Sequence, residues 1–231
     1  MFILRLMVLK RFALLALLSA LPAVANTIMV TGVNSGLGLQ SSVYVNENGV
    51  APTDPLFFAG AIDIVVDGYT RQVFCVQLLV DIYLNNTYDT IIDFSDTPNL
   101  KRVGWLLEHQ FPSTPLTGAA FQLAIWDIIE DNGDGFGIGA GSVSQSTNPL
   151  HPTDAGLLAA AAQYEAVSAG MSSDYGVVYH NYLGTIPMQN LMGGPVTDGG
   201  PSAIPEPAAI VLICSGLALI GLGRLRRGRR S

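Results

Sequence analysis

The sequence is poor in cysteine and in positive charge. Of its 231 residues, two are cysteines and 11 are Lys or Arg. Between residues 26 and 204 only three cations, Arg71, Lys101 and Arg102, face 17 acidic residues, so this segment carries a net charge of −14. Binding to phosphate backbones requires clustered cations. The shortage argues against a nucleic-acid partner, and the acidity suits a soluble exported domain or one that meets cations.

The first 25 residues have the layout of a secretory signal peptide. A basic stretch ends at Arg11, an apolar core follows over residues 12–21, and Pro22 precedes the small residues Ala23-Val24-Ala25. This order is typical of a signal removed by signal peptidase, with cleavage before Asn26. The competing interpretation is a transmembrane anchor, which the short apolar core disfavours. We expect the mature protein to lie outside the cytoplasm.

The C-terminus is organised as a second processing segment. A Gly/Pro linker over 193–204 leads to Pro205-Glu206-Pro207 and an apolar run over 208–223. That run is 16 residues long, which is short for a permanent span of a hydrocarbon core about 30 Å thick. Basic residues after such a run favour a cytoplasmic end. These residues are Arg224, Arg226, Arg227, Arg229 and Arg230.

The triplet, the short apolar helix and the terminal arginines, in this order, resemble the PEP-CTERM sorting signal of Gram-negative bacteria. The resemblance implies a membrane exosortase as partner, transient membrane anchoring through the tail helix, and delivery to the envelope, the outer surface or the extracellular matrix. A plain tail anchor is the alternative. Cys214 lies in this tail, so a processed chain keeps only Cys75 and has no intramolecular disulfide.

The middle of the chain predicts an α+β domain over residues 26–192. Two β-branched and aromatic runs, 61–66 and 69–80, flank Asp67-Gly68, the dipeptide of a type I′ hairpin turn. Cys75 lies mid-strand, on one face with Val73 and Gln77. Residues 26–50 predict one short strand around Val43–Val45, and residues 85–96 are predicted to form polar turns. Further elements are expected as helices over 98–110, 117–130 and 153–169 and a closing strand over 175–183. The fold expected is a β-hairpin or sheet whose Cys75 strand packs against about three helices.

Gln122 stands inside an almost continuously apolar helix, which we expect to begin at an N-cap Thr117. A buried carboxamide without partners costs about 1–3 kcal/mol. Gln122 therefore has either a structural role, as a hydrogen-bonded core amide, or a chemical one. Composition alone favours the structural role.

Three segments resemble the thioester domains of bacterial surface adhesins: Phe74-Cys75-Val76, Trp105-Leu106-Leu107 and Phe121-Gln122-Leu123-Ala124-Ile125-Trp126. The resemblance spans roughly residues 60–170. It places Cys75 at the thiol position and Gln122 at the acyl position of an internal thioester, with Phe121 in place of the usual threonine.

The resemblance implies a chemistry without turnover and without a cofactor. Attack of Cys75 on Gln122 releases ammonia and stores an activated acyl group, which an amine or hydroxyl on a surface or exopolysaccharide then captures. A cysteine hydrolase pairing Cys75 with His109, His151 or His180 is a rival that no flanking signature supports. An inert envelope or biofilm-matrix protein with a buried free thiol is the other alternative.

Oxygen-bearing side chains alternate in the segment that follows the glutamine helix. Glu130, Asn132 and Asp134 are followed by Gly135, as in calcium loops, but Gly141 stands where such loops need a bidentate acid. The sequence favours an acidic solvated turn over a calcium site.

Overall fold

The computed structural model describes residues 26–45, 56–78, 80–94, 96–137, 141–146 and 153–195. The predicted signal peptide (1–25), the linker beyond residue 195, the sorting tail with its PEP triplet and arginines, and His151 lie outside the described residues. Within the described part, no helix is both long enough and apolar enough to cross a membrane.

Eight strands and three helices make up the described chain, so the α+β prediction and its number of helices are confirmed. The helices are α1 (Pro98–His109), α2 (Pro115–Asp131) and α3 (Ala155–Ser168). The strands are β1 (Asn26–Val45), β2 (Leu56–Val66), β3 (Tyr69–Cys75), β4 (Asn86–Phe94), β5 (Val143–Gln145), β6 (Val177–Leu183), β7 (Ile186–Pro187) and β8 (Leu191–Gly193).

Six of these strands close into an antiparallel barrel in the order β1, β2, β3, β8, β6, β4, with β4 pairing back to β1. β5 pairs with the end of β1, and β7 pairs with β6. Closure leaves no unpaired edge among the six strands. The β-hairpin or sheet expected from the sequence is thus part of a closed barrel, which the sequence did not predict.

The β2–β3 hairpin forms as its turn residues predict. Asp67 and Gly68 both have positive φ, 51° and 82°, which is the requirement of a type I′ turn. Ile62 pairs with Val73 and Val66 with Tyr69. The hairpin carries Cys75 to the end of β3, not to the middle of a longer strand.

The strand prediction was incomplete, because β4, β5, β7 and β8 were missed and β1 was expected to be much shorter. β1 covers 20 residues, from Asn26 to Val45, far beyond the short strand expected at Val43–Val45. It is held by β2 along most of its length and by β4 near its start. β4 replaces the turns expected over 85–96, and only Tyr88 and Thr90 on it are buried. Partner strands, not local sequence, decide both elements.

The core surrounds α2. Every residue from Gly118 to Ile128 is buried. One cluster packs Ala120, Leu123 and Trp126 of α2 against Val73 and Cys75, and another packs Phe121, Ile125 and Ile128 against Phe74 and α1. Helix α2 also comes so close to β1 that it needs a glycine here, because a Cβ on Gly118 would overlap the main-chain oxygen of Leu37.

The caps explain where the helices begin. Thr97 accepts from the Leu100 amide and caps α1, as the Thr-Pro signal predicts. For α2 the cap is Thr114, and Thr117, the expected N-cap, is its N3 residue in a capping box. Helix α3 begins after Asp154.

Candidate thioester site

Cys75 is the last residue of β3 and lies where the hairpin ladder stops. It pairs with Leu191 of β8 on one side. On the other side, the pairing between β2 and β3 ends at Ile62 and Val73. Continuing that register would put Gly60 opposite Cys75. Gly60, however, is not paired with Cys75; it has φ of 149° and lies beside a shift in the β1–β2 register between Val33 and Gly38. The Cys75 amide and carbonyl therefore have no strand partner on this side.

The side chain of Gln122 supplies the missing partner. The main-chain N–H of Cys75 donates to Gln122 Oε1 at 2.9 Å, and Gln122 Nε2 donates to the main-chain oxygen of Cys75 at 2.8 Å. Both residues are buried, with 0% of Gln122 and 5% of Cys75 exposed. A carboxamide has the donor and acceptor of a peptide group. The Gln122 side chain, which extends from helix α2, thus takes the place of a neighbouring strand's peptide group beside Cys75.

The structure brings the two residues that the sequence singled out into direct contact, although they are far apart along the chain. The contact joins the Gln122 carboxamide to the main chain of Cys75. The side-chain carbonyl carbon of Gln122 is consequently held beside the residue that carries the thiol.

Aromatic packing fixes the crossing of α2 and β3 next to this contact. The rings of Phe74 and Phe121, each adjacent in sequence to one partner of the pair, have centroids 4.8 Å apart. Phe121 also meets the edge of Tyr164 from α3, at 5.2 Å. Both phenylalanines are fully buried. Phe121 therefore acts here through apolar packing.

The electrostatic environment disfavours ionisation of the thiol. Burial raises the pKa of Cys75 to about 12. Since the thiolate is the reactive species, this shift in pKa disfavours reaction of Cys75 with reagents in the solvent while the chain is folded. The same exclusion of water would slow hydrolysis of an acyl bond formed there.

The rival hydrolase interpretation named three histidines, of which His109 and His180 are among the described residues; neither has a hydrogen bond to Cys75 there. His109 stacks on Trp105 with ring centroids 4.7 Å apart, and its Nδ1 lies 3.0 Å from the Trp105 main-chain oxygen. His180 lines a cavity of about 480 Å³ between α1, the end of α2 and the segment after β3. Val76 and Gln77 line this cavity, whereas Cys75 and Gln122 do not.

A cluster of carboxylates lies at the C-terminal end of α2. Oxygens of Asp127, Asp131 and Asp134 lie within 4.8 Å of one another, and Glu165 of α3 faces Asp127. The calcium candidate of the sequence included Asp134 but paired it with Glu130 and Asn132. The actual grouping differs because 127 and 131 are one helical turn apart on α2, so a loop template does not find them.

Burial is the largest cause of altered ionisation in this cluster. It raises the pKa of Asp127 to about 6 and that of Glu165 to about 8. The charge of Asp127 raises the pKa of Glu165 further, whereas the hydrogen bond from Glu165 and the Gly135 amide act to lower that of Asp127. The sequence analysis missed both residues, because a single acid on an apolar helix carries no local signal of its partner.

Comparison with known proteins finds no matching family model, no matching curated protein and no matching solved structure.

Proposed function

We propose that this chain is an exported surface or matrix protein in which Cys75 and Gln122 form an internal thioester for single-turnover covalent attachment. The observation that carries the proposal is the pair of hydrogen bonds that joins the Gln122 carboxamide to the main chain of Cys75. A cysteine whose main chain is bonded to a buried glutamine carboxamide is the minimum that this chemistry requires.

The hydrogen bonds are suited to the formation step. Cys75 Sγ bonds to Gln122 Cδ, the bond from Cδ to Nε2 breaks, and ammonia leaves with the thiol proton. The Cys75 main-chain N–H already points at Oε1, the oxygen that gains negative charge as sulfur adds. A preplaced donor of this kind stabilises the oxyanion.

The raised pKa of Cys75 makes the attacking thiolate scarce at neutral pH. Formation is accordingly expected to be slow, which a reaction needed once per chain tolerates. The product then lies in a packed site from which water is excluded. An amine or hydroxyl that reaches Cδ opens the bond, stays attached through the Gln122 acyl group and restores the Cys75 thiol. No catalyst is regenerated, so the protein is not an enzyme.

Export and sorting complete the proposal. The signal peptide over 1–25 would be removed by signal peptidase, and the tail over 205–231 would engage an exosortase-type membrane protease. The target nucleophile would then belong to the cell envelope, the outer surface or the exopolysaccharide matrix of a Gram-negative bacterium. The shortage of cations between 26 and 204 supports a partner other than nucleic acid.

A structural role is the second candidate, and one observation favours it. The carboxamide of Gln122 satisfies both otherwise unpaired main-chain groups of Cys75, so its burial is explained without any reaction. In this case the chain is a non-reactive envelope or biofilm-matrix protein with a buried free thiol.

Intact mass spectrometry of the purified full-length chain separates the two candidates. The thioester form should be lighter than the encoded mass by one ammonia, and methylamine should add covalently at Gln122. The Cys75→Ala variant should show neither change. It is a matched control because it removes the sulfur and keeps the main-chain groups that bond to Gln122.

The opposite result is equally specific. If the wild-type mass is unmodified, and thiol reagents label Cys75 after unfolding alone without prior treatment with a nucleophile, the thioester proposal fails and the structural role stands.

A further inference from the structure

The carboxylate cluster at the end of α2 concentrates negative charge where little solvent reaches it. Asp127 is 0% exposed and Glu165 is 6% exposed. Asp131 is half-buried and Asp134 is exposed at the rim. The nearest cation, Arg102, donates to Ser168 Oγ and to the main-chain oxygens of Asn132 and Glu165, not to a carboxylate.

Two buried oxygens in this cluster lack a donor. Asp127 Oδ1 and Glu165 Oε1 have no hydrogen-bond partner among the described N–H and O–H groups. The two carboxyl groups face each other across α2 and α3, within reach of a shared proton. An oxygen pair of this kind is satisfied either by a proton held between the groups or by a cation bound to both.

The rest of the cluster is held in place for coordination. The Gly135 amide donates to Asp127 Oδ2 at 3.1 Å. The Ser142 amide donates to Asp131 Oδ1 and Oδ2, and the Val143 amide donates to Oδ2. Since a carboxylate oxygen accepts two bonds, Asp131 Oδ1 keeps free capacity. Exposed Asp134 leaves the site open to solvent on one side.

We propose that Asp127, Asp131 and Asp134, supported by Glu165, form a binding site for a hard divalent cation, with Ca²⁺ as its preferred ligand. All the donors are carboxylate oxygens, which suit Ca²⁺ and Mg²⁺ over softer metals. The three carboxylates that lie within 4.8 Å of one another come from α2 and the loop after it, and Glu165 lies next to one of them, Asp127. Such an irregular set matches the flexible coordination of Ca²⁺ better than the strict octahedron of Mg²⁺. The cation would join the end of α2 to α3, and this proposal is independent of the thioester.

Calorimetric titration of Ca²⁺ into the EDTA-treated full-length protein at pH 7.5, together with thermal unfolding with and without Ca²⁺, tests this site. We expect saturable one-site binding and a higher Tm, because a ligand of the folded state stabilises it. Mg²⁺ should bind at least about tenfold more weakly.

Two charge-neutral variants sharpen the test. Asp134→Asn changes an exposed ligand and should weaken Ca²⁺ binding about tenfold or more without unfolding the protein. Glu165→Gln should also weaken it while preserving the shape of the buried side chain. Asp89→Asn, an exposed acid on β4, is the matched control and should bind Ca²⁺ like the wild type.

The proposal is overturned if Ca²⁺ neither binds nor shifts the Tm of the wild-type protein, or if Asp134→Asn and Asp89→Asn bind it equally. If Ca²⁺ does not bind and the Glu165→Gln variant is more stable than the wild type at pH 8, Asp127 and Glu165 only share a proton and form no cation site.

Discussion

Replacing Gln122 by leucine isolates the structural part of its role. Leucine has a similar volume but neither donates nor accepts a hydrogen bond, so the buried amide and carbonyl of Cys75 lose their partner. The comparison is made in a Cys75→Ala background, in which Gln122 keeps its carboxamide whether or not the wild type forms a thioester. Any difference between Cys75→Ala and Cys75→Ala/Gln122→Leu then reports the two hydrogen bonds.

The magnitude follows from those two bonds. Each buried main-chain group left unsatisfied costs about 1–3 kcal/mol, so the pair costs about 2–6 kcal/mol. The extra apolar surface of leucine offsets on the order of 1 kcal/mol. The expected loss in free energy of unfolding is therefore about 1–5 kcal/mol. This is large against a total stability of roughly 5–15 kcal/mol for an ordinary domain.

Urea unfolding followed by circular dichroism measures the difference as a shift in midpoint at constant slope. Gln189→Leu is a graded control, since Gln189 is 6% exposed and donates one hydrogen bond, at 2.7 Å, to the Gln77 main chain. Its effect should be about half as large. A double variant within about 0.5 kcal/mol of Cys75→Ala, the range of ordinary surface substitutions, would refute the peptide-like role of Gln122.

Three further predictions concern the packing and charge around the site. Burial holds the pKa of Glu165 at about 8 in the folded chain, which therefore keeps a proton that the unfolded chain releases. The free energy of unfolding in EDTA should fall as the pH rises from about 4.5 to 8. If the free energy of unfolding of a Glu165→Gln variant, measured by urea unfolding, depends on pH as steeply as that of the wild type, this prediction is wrong. Gly118→Ala should destabilise by about 1–3 kcal/mol or more, despite the better helix propensity of alanine, because the Leu37 main chain cannot move aside; an unchanged urea midpoint would refute the close approach. Thr114→Ala should cost about 1 kcal/mol by removing the cap of α2, measured as a lower Tm, whereas a larger loss from Thr117→Ala would place the cap at the residue that the sequence suggested.

Local signals were sufficient for the helices and for the hairpin that carries Cys75. The Thr97 cap before Pro98 and the positive φ angles at Asp67-Gly68 act within a few residues, so the sequence around them determines the structure. The apolar character of α2 likewise predicts its burial. The predicted N-cap of α2 was wrong by one turn. Both Thr114 and Thr117 have the chemistry of an N-cap, and the capping box between them makes Thr114 the cap and Thr117 the N3 residue.

The barrel could not be predicted in this way. β1 is rich in glycine and serine, and β4 buries only alternate polar or aromatic residues; both depend on hydrogen bonds to strands distant in sequence. Short β8 is a strand only because β3 and β6 pair with it. Such contacts require chain closure between remote segments, which local propensity does not encode.

The sequence by itself determined that Cys75 and Gln122 are unusual: a thiol alone in the acidic segment between residues 26 and 204, and an amide inside an apolar helix. Only the tertiary structure decided what Gln122 touches, namely the main chain of Cys75 at the point where β2 leaves β3. Likewise, only the packing of α3 on α2 brought Glu165 to Asp127. The reason is physical, because residue type fixes which bonds a side chain can make, whereas the path of the folded chain fixes which partner is within reach.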